Sequence, residues 1–372
     1  MSGGENGASG LWLGVYAGCL LAAFGLSVCL TALSRRLGLQ WGLLDRPAGR
    51  KAHEQPIPVT GGWALFGTFI LLAGAGGWVG PALAAIAPEG WAPLPDYLRN
   101  LVGVRRQLMG LILGAGFIFA VGALDDARPL GPKLKLAAQA LSVVPLLAVG
   151  VSIRLFLPWE ALGWALTIAW CVALMNAFNF IDNMDGLCAT AAATIAAVLA
   201  MGALQGGSLW LPAMYLSLAG ALLGFLVFNF HPATIFLGDA GSLTVGYLLA
   251  AFSILTTYYE SGQPTGLPVL IPLAVMGVPL FDAASVLWIR WRRGAPLMVG
   301  DQNHFSHRLR AMGLSVRQTA LTIGLLTAAT GLLALPLRHL PPGAAALHLG
   351  ALGMLFGVVG ALELAGRRNR TP

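Results

Sequence analysis

The residues best placed to do chemistry lie between two apolar runs, in Asn176–Leu187, read NAFNFIDNMDGL. The stretch closes the run 162–174 and opens the run 187–201. It holds three amides, Asn176, Asn179 and Asn183, and two acids, Asp182 and Asp185. Polar groups at the end of a membrane span are costly to bury and usually face water or a cavity. Asn179, Asp182 and Asp185 are spaced by three, so on a helical turn they lie near one face. Oxygen donors grouped this way suit a hard cation such as Mg²⁺, or the donors of a nucleotide. The competing reading is an acidic helix end with no further role.

Four other segments are as dense. LDDARPLGPKLK, 124–135, carries Asp125 and Asp126. Adjacent carboxylates repel, so a nearby cation or a shared proton is expected. One can hold a substrate while the other accepts a proton. Lys133 and Lys135 can bind phosphate as point charges, and Lys135 reads equally well as an anchor of a span. NFHPATIFLGDAGS, 229–242, sets Asp239 between glycines. If Ser242 caps the following helix, its N-terminal amides favour anions. Asn229 supplies an amide able to read a base edge, while His231 reads as a loop residue. GDQNHFSHRL, 300–309, holds Asp301, His304, His307 and Arg308. Histidine donates to phosphate or takes a proton near neutrality. A spacing of three also fits a metal pair, but no Cys or Glu completes a zinc set, which favours phosphate or sugar contact. In DRPAGRKAHEQPIPVTGG, 45–62, polyanion contact by Lys51 and its neighbours competes with anchoring at the membrane surface. Asp282 lies inside an apolar run and reads as a structural ion pair or hydrogen bond near the inner face.

The elements that must position these groups are apolar. The chain has 372 residues, 57% hydrophobic and 10% charged, with a mean hydropathy of +0.76. Soluble domains carry about 25% charged residues. The expected fold is all-α, a polytopic integral membrane helix bundle forming one domain over 1–372. A short polar tail, 1–10, precedes it and a basic tail, 365–372, ends it. A crossing helix needs about 20 apolar residues. Eleven such runs occur: 11–33, 63–86, 108–124, 133–150, 161–178, 187–204, 209–228, 241–259, 267–290, 318–337 and 343–364. The count falls to ten if the short, interrupted runs three and four do not both cross. The loop 87–107 is Pro-rich and bland. The four cysteines read as small packing residues, with no metal-ligand spacing.

Lys and Arg mark the inner side. With the N-terminus outside and the C-terminus cytoplasmic, all basic residues but Arg99, Arg105, Arg106, Arg154 and Arg338 fall in inner segments. All five polar segments fall there too, which implies a single cytoplasmic-face site. The net charge of +7 suits an anionic membrane surface and an anionic substrate, and gives no sign of nucleic-acid binding. No internal repeat is visible, although many secondary transporters carry one. A transporter is the main rival reading; it would be expected to place its acids near the bilayer midplane.

Taken together, the six pieces DRPAGRKAHEQPIPVTGG, LDDARPLGPKLKLAAQ, NAFNFIDNMDGL, IFLGDAGS, VPLFDAASVLWIRWRRG and GDQNHFSHRL resemble the polyprenyl-phosphate N-acetylhexosamine-1-phosphate transferases. They stand in that family's order over about residues 40–315. The resemblance implies transfer of a sugar 1-phosphate from a UDP-sugar to a polyprenyl phosphate, with release of UMP. It implies Mg²⁺, for which Mn²⁺ can substitute, in a bacterial inner membrane, with a homodimer as the family-level expectation. Asp239 then looks like the principal metal ligand, with Asn179 its partner. Asp125 and Asp126 resemble the family's acidic pair, with Asp125 orienting or deprotonating the lipid phosphate. Lys133, Asp182, Asp185 and Asn229 resemble the nucleotide site. His304, His307 and Arg308 resemble the loop that meets the diphosphate and the sugar.

The last segment, HFSHRL, is closer to the HxHHRL of the GlcNAc-1-phosphate branch, which starts O-antigen and related polymers, than to the histidine run of the pentapeptide translocases. Ser306 stands where that branch usually has His. UDP-GlcNAc therefore ranks first as donor, ahead of another UDP-N-acetylhexosamine or UDP-MurNAc-pentapeptide.

Overall fold

Inside a bilayer every backbone polar group must be satisfied internally, so long apolar runs fold as helices. The computed structural model describes residues 2–45, 55–80, 82, 94–154, 159–259, 265–296 and 303–368. In order, the main helices are α1 (Ser2–Trp41), α2 (Gly61–Gly74, continued by a π-helical turn Ala75–Val79), α3 (Leu94–Ala127), α4 (Pro132–Ser142) and α5 (Val144–Ala148). Next come α6 (Glu160–Ile181), α7 (Leu187–Gln205), α8 (Trp210–Asn229) and α9 (Gly238–Leu255). The chain ends with α10 (Ile271–Val275), α11 (Gly277–Arg292), α12 (Phe305–Ala311), α13 (Val316–Ala334) and α14 (Pro342–Arg368). Between α1 and α2, β1 (Leu44–Asp45) pairs antiparallel with β2 (Ile57–Pro58).

Nine helices among the described residues are long and apolar enough to cross a membrane. The pair Leu267–Val275 and Gly277–Arg292, bent by 70°, makes a tenth candidate if it is counted as one span. The expected single crossing at 133–150 is instead two short helices, α4 and α5. Pro145 lies in the first turn of α5, where its missing N–H and its ring do not allow a continuous helix through Val143. The two pieces still run back along α3, because Arg106, near the start of α3, donates to the Ala148 carbonyl at 3.3 Å. The expected loop 87–107 is also corrected: α3 begins at Leu94. Its charged first turns lower the hydropathy without breaking the helix, and Arg105 is satisfied by the Gly77 carbonyl at 2.7 Å. The residues read as a polar tail, from Ser2 onward, are helical as well.

Helix α9 is the enclosed centre: 78% of its apolar window is buried, against 11% for α14. It packs on α2, α3, α6 and α7. Helix α1 lies along α8, where Gly220 and Gly224 let the backbones meet; a Cβ at Gly220 would stand 2.2 Å from the Leu20 carbonyl oxygen. Small residues four apart are the usual way helices pack closely in lipid. The C-terminal ends of α1, α3, α6 and α8 and the N-terminal ends of α2, α4, α7 and α9 gather at one end of the bundle.

Candidate active site

The site is built on the first turn of α9. The helix starts at Gly238, three residues earlier than the apolar run suggests, so Asp239 is helical rather than in a preceding loop. Gly238 has φ +72°, a left-handed conformation that glycine adopts without strain. On the facing helix α3, a Cβ at Gly122 would lie 2.5 Å from the Ala240 Cα. That contact delivers the end of α3 to the start of α9. Asp126 then accepts the Asp239 N–H at 2.7 Å and the Ala240 N–H at 3.0 Å, one on each carboxylate oxygen. The cap of α9 therefore comes from 113 residues away, not from Ser242, which sits a full turn inside.

Asp125 is turned about 100° from Asp126 around the helix. One of its oxygens accepts the Leu130 N–H at 2.6 Å, and the other meets the Lys135 ammonium at 2.9 Å. Lys135 also donates to Asp239 in a short contact. The second Asp239 oxygen accepts from the Asn179 amide at 2.7 Å, and the same amide nitrogen reaches the Ser242 hydroxyl at 3.0 Å. Lys135 thus ties Asp125 to Asp239, while Lys133 is exposed on the first turn of α4.

Lys135 is the site residue that sequence reasoning undervalued. Its signal was Gln139, one turn on, a polar residue within an apolar run. Gln139 is buried and exchanges hydrogen bonds with Asn176, at 2.6 Å from the Asn176 amide and 3.4 Å in return. This pair pins α4 against α6 and fixes the face that presents Lys135 to Asp125 and Asp239.

The remaining acids divide. Among the described residues no donor reaches the Asp182 carboxylate, just past the end of α6. Burial, with the charges of Asp239, Asp126 and Asp185 added, pushes its pKa well above the usual carboxylate range. Asp185 accepts from the His231 ring at 2.7 Å and the Ala233 N–H at 3.1 Å. Asn229 is buried, accepting the Gly186 N–H at 3.1 Å and donating to the Ile235 carbonyl at 2.9 Å. Asp185 and Asn229 therefore stitch the loop after α6 to the loop after α8, with their bonding groups turned to the protein.

The loop before α12 docks on the same end. Ser306 is buried and donates to the Asn183 side-chain oxygen at 2.5 Å. His304 is buried, with its ring edge against Phe180, centroids 5.8 Å apart, and its Nδ1 2.8 Å from Asp282. His307 lies 6.3 Å from His304, ring to ring, and Arg308 donates to the Ser285 hydroxyl at 2.8 Å. The hydrogen bonds of His304 go to Asp282 and not to the Asp239 cluster. Lys51 and Asp301 lie outside the described residues.

Four carboxylates, those of Asp125, Asp126, Asp182 and Asp239, thus converge with one ammonium in direct contact. Among the described residues no three side chains form a ready metal-ligand set. That arrangement fits a hard cation completed by its ligand: Mg²⁺ is usually held by one or two carboxylates together with substrate phosphates and water.

A family model described as glycosyl transferase family 4 matches residues 108–257. The chain is 32% identical over 305 residues to a Bacillus subtilis protein named a probable undecaprenyl-phosphate N-acetylglucosaminyl 1-phosphate transferase; the match covers 80% of this chain and 78% of that one. It is 31% identical to a decaprenyl-phosphate N-acetylglucosaminephosphotransferase of Mycolicibacterium smegmatis, over 93% of this chain and 89% of the relative. It is 25% identical to the undecaprenyl-phosphate alpha-N-acetylglucosaminyl 1-phosphate transferase of Salmonella typhi, over 83% and 80%.

Proposed function

Since the chain belongs to glycosyl transferase family 4, we propose that it transfers N-acetylglucosamine 1-phosphate from UDP-N-acetylglucosamine to a polyprenyl phosphate, undecaprenyl phosphate in the first instance. The observation that carries this reading is Asp239, fixed in the first turn of α9 and joined through Lys135 to Asp125. An oxygen of the lipid phosphate bonds to the phosphorus that bears the sugar. The bond from that phosphorus to the bridging oxygen breaks, and UMP leaves with that oxygen. Such a transfer needs positioning and charge neutralisation more than covalent help from the protein.

The residues divide the work. Asp125 orients the lipid phosphate and takes its proton. Lys135 offsets charge between the two phosphates. Asp126 holds Asp239 in place by capping α9. Asp182 faces the nucleotide, with the loops that Asp185 and Asn229 hold together as the wall behind it. His304, with His307 and Arg308, meets the diphosphate and the sugar. Asp239 and Asn179 would hold a divalent cation, Mg²⁺ or Mn²⁺, which supplies neutralisation of the diphosphate oxygens. A diphosphate entering this acidic cluster without a cation would meet strong repulsion, since two unit charges 4 Å apart cost about 4 kcal/mol at an effective dielectric constant of 20.

In the membrane, α1 begins outside and the chain ends in the cytoplasm, with the site on the cytoplasmic face of the bacterial inner membrane. Counting the broken pair α4–α5 and the bent pair as one traverse each gives eleven crossings in one domain. The bias of Lys and Arg toward the site end supports this orientation. The reaction is the first membrane step of a cell-envelope polysaccharide, and the working form is a homodimer.

The test is UMP release by the purified protein with undecaprenyl phosphate, Mg²⁺ and a panel of UDP-sugars. Release with UDP-N-acetylglucosamine that needs both lipid and metal is expected. Release with another UDP-sugar alone would change the donor, and no release from folded protein would overturn the reading.

A further inference from the structure

Among the described residues, Asp282 is the one fully buried acid, and the reaction above does not use it. It is fully buried in α11, one turn past the bend, with 0% exposure. A buried carboxylate persists only when hydrogen-bonded or paired. Both oxygens of Asp282 point at a single stretch. One accepts the Phe305 N–H at 2.5 Å, and the other lies 2.8 Å from Nδ1 of His304. The two bonds fix the backbone at the start of α12 and the ring just before it. With this carboxylate accepting on its second oxygen, as it does from Phe305 on the first, the His304 nitrogen facing it is the donor. Nε2, on the far side of the ring, is left as the lone-pair edge. Among the described residues nothing bonds that edge, and Phe180 packs beside the ring. Beyond Phe180 the chain continues into Asn183, which Ser306 holds at 2.5 Å.

We propose that Asp282 is a positioning residue: its buried carboxylate fixes His304 in the Nδ1–H tautomer and leaves Nε2 to accept a hydrogen bond from a hydroxyl or amide N–H of the substrate sugar. This inference rests on the transferase reading and deepens it. Among the described residues, the ring of His307 stands 6.3 Å from that of His304, and the Arg290 guanidinium lies 5.4 Å from the Phe180 ring centre. Neither makes a described hydrogen bond with His304, so the tautomer is set by Asp282. The outer partners of metal-bound histidines are worth roughly 10–100-fold when removed, and a loss on that scale is expected for the partner of His304.

The test is a double-mutant cycle read by UMP release. Asp282→Asn keeps the shape but can offer His304 an N–H as readily as an oxygen. It should lower kcat roughly 10–100-fold with little change in KM for the UDP-sugar, and Asp282→Glu should recover part of the loss. In a His304→Gln background the same substitution should cost nothing further, because its effect passes through the ring. Equal losses in both backgrounds, or full activity of Asp282→Asn, would overturn the proposal. A second readout needs no variant: ¹⁵N spectra of the histidine-labelled wild-type protein should show His304 protonated at Nδ1, and an Nε2–H tautomer would overturn it. If wild-type protein releases no UMP, the transferase reading fails while the tautomer measurement still decides the role of Asp282.

Discussion

Asp126 on α3 caps α9 with both carboxylate oxygens, holding the amides of Asp239 and Ala240 at 2.7 and 3.0 Å. The residue that looks like half of a catalytic pair is thus the group that sets the other half of the site. Helix caps are worth about 0.5–2 kcal/mol. Asp126→Ala should therefore lower thermal stability by that order and also depress kcat, because Asp239 loses its anchor. Unfolding monitored alongside UMP release checks both, and a variant with full activity would remove Asp126 from the site's support.

The two lysines of α4 make a sharp comparison. Lys135 touches Asp125 and Asp239, and Lys133 is exposed. Removing a charge-stabilising donor from a reacting centre costs on the order of 10²–10³ in kcat. Lys135→Ala should show a loss of that size in UMP release, while Lys133→Ala stays near wild type. The reverse ranking would mean that α4 rotates when substrate binds.

Metal removal addresses the acidic cluster directly. Chelation should abolish UMP release, and Mg²⁺ or Mn²⁺ should restore it. Asp239→Asn keeps the hydrogen bond geometry but removes a charge, so it should require far more Mg²⁺ or stay silent. A metal titration of UMP release by wild type and variant gives the answer, and metal-independent activity would sink the assignment of Asp239 and Asn179.

Ser306 was the departure from the family pattern that left the donor sugar open. Its side chain is buried and bonds Asn183 at 2.5 Å, so it joins two loops and does not reach outward. Ser306→Ala should lose about 0.5–1.5 kcal/mol of stability without changing which UDP-sugar is used. Ser306→His should be worse, because overpacking a filled site typically costs about 1–3 kcal/mol. Thermal unfolding together with the donor panel distinguishes a loop clamp from a specificity residue.

Much of this protein was legible in the chain alone. Nine of the apolar runs are single helices long enough to cross a membrane, because helix formation in lipid is a local requirement of the backbone. The acids and amides of 125–126, 179–185 and 239 could also be seen to share one end, since each closes or opens an apolar run. What needed the tertiary structure was the pairing of those groups. Asp126 reads as a catalytic acid in the chain, and only the fold shows that it also caps the start of α9, 113 residues away. Lys135 reads as much like a membrane anchor as a phosphate ligand until Gln139 and Asn176 fix which face of α4 turns inward. Asn229 and Asp185 read as ligand-binding groups in the chain, and only the fold shows that they also join neighbouring loops through Gly186, Ile235, His231 and Ala233. The sequence by itself determined the helices and the chemistry available at one end of the bundle, because both depend on near neighbours. Only the fold decided which charges meet, because those contacts join residues far apart in the chain and depend on how closely the helices pack.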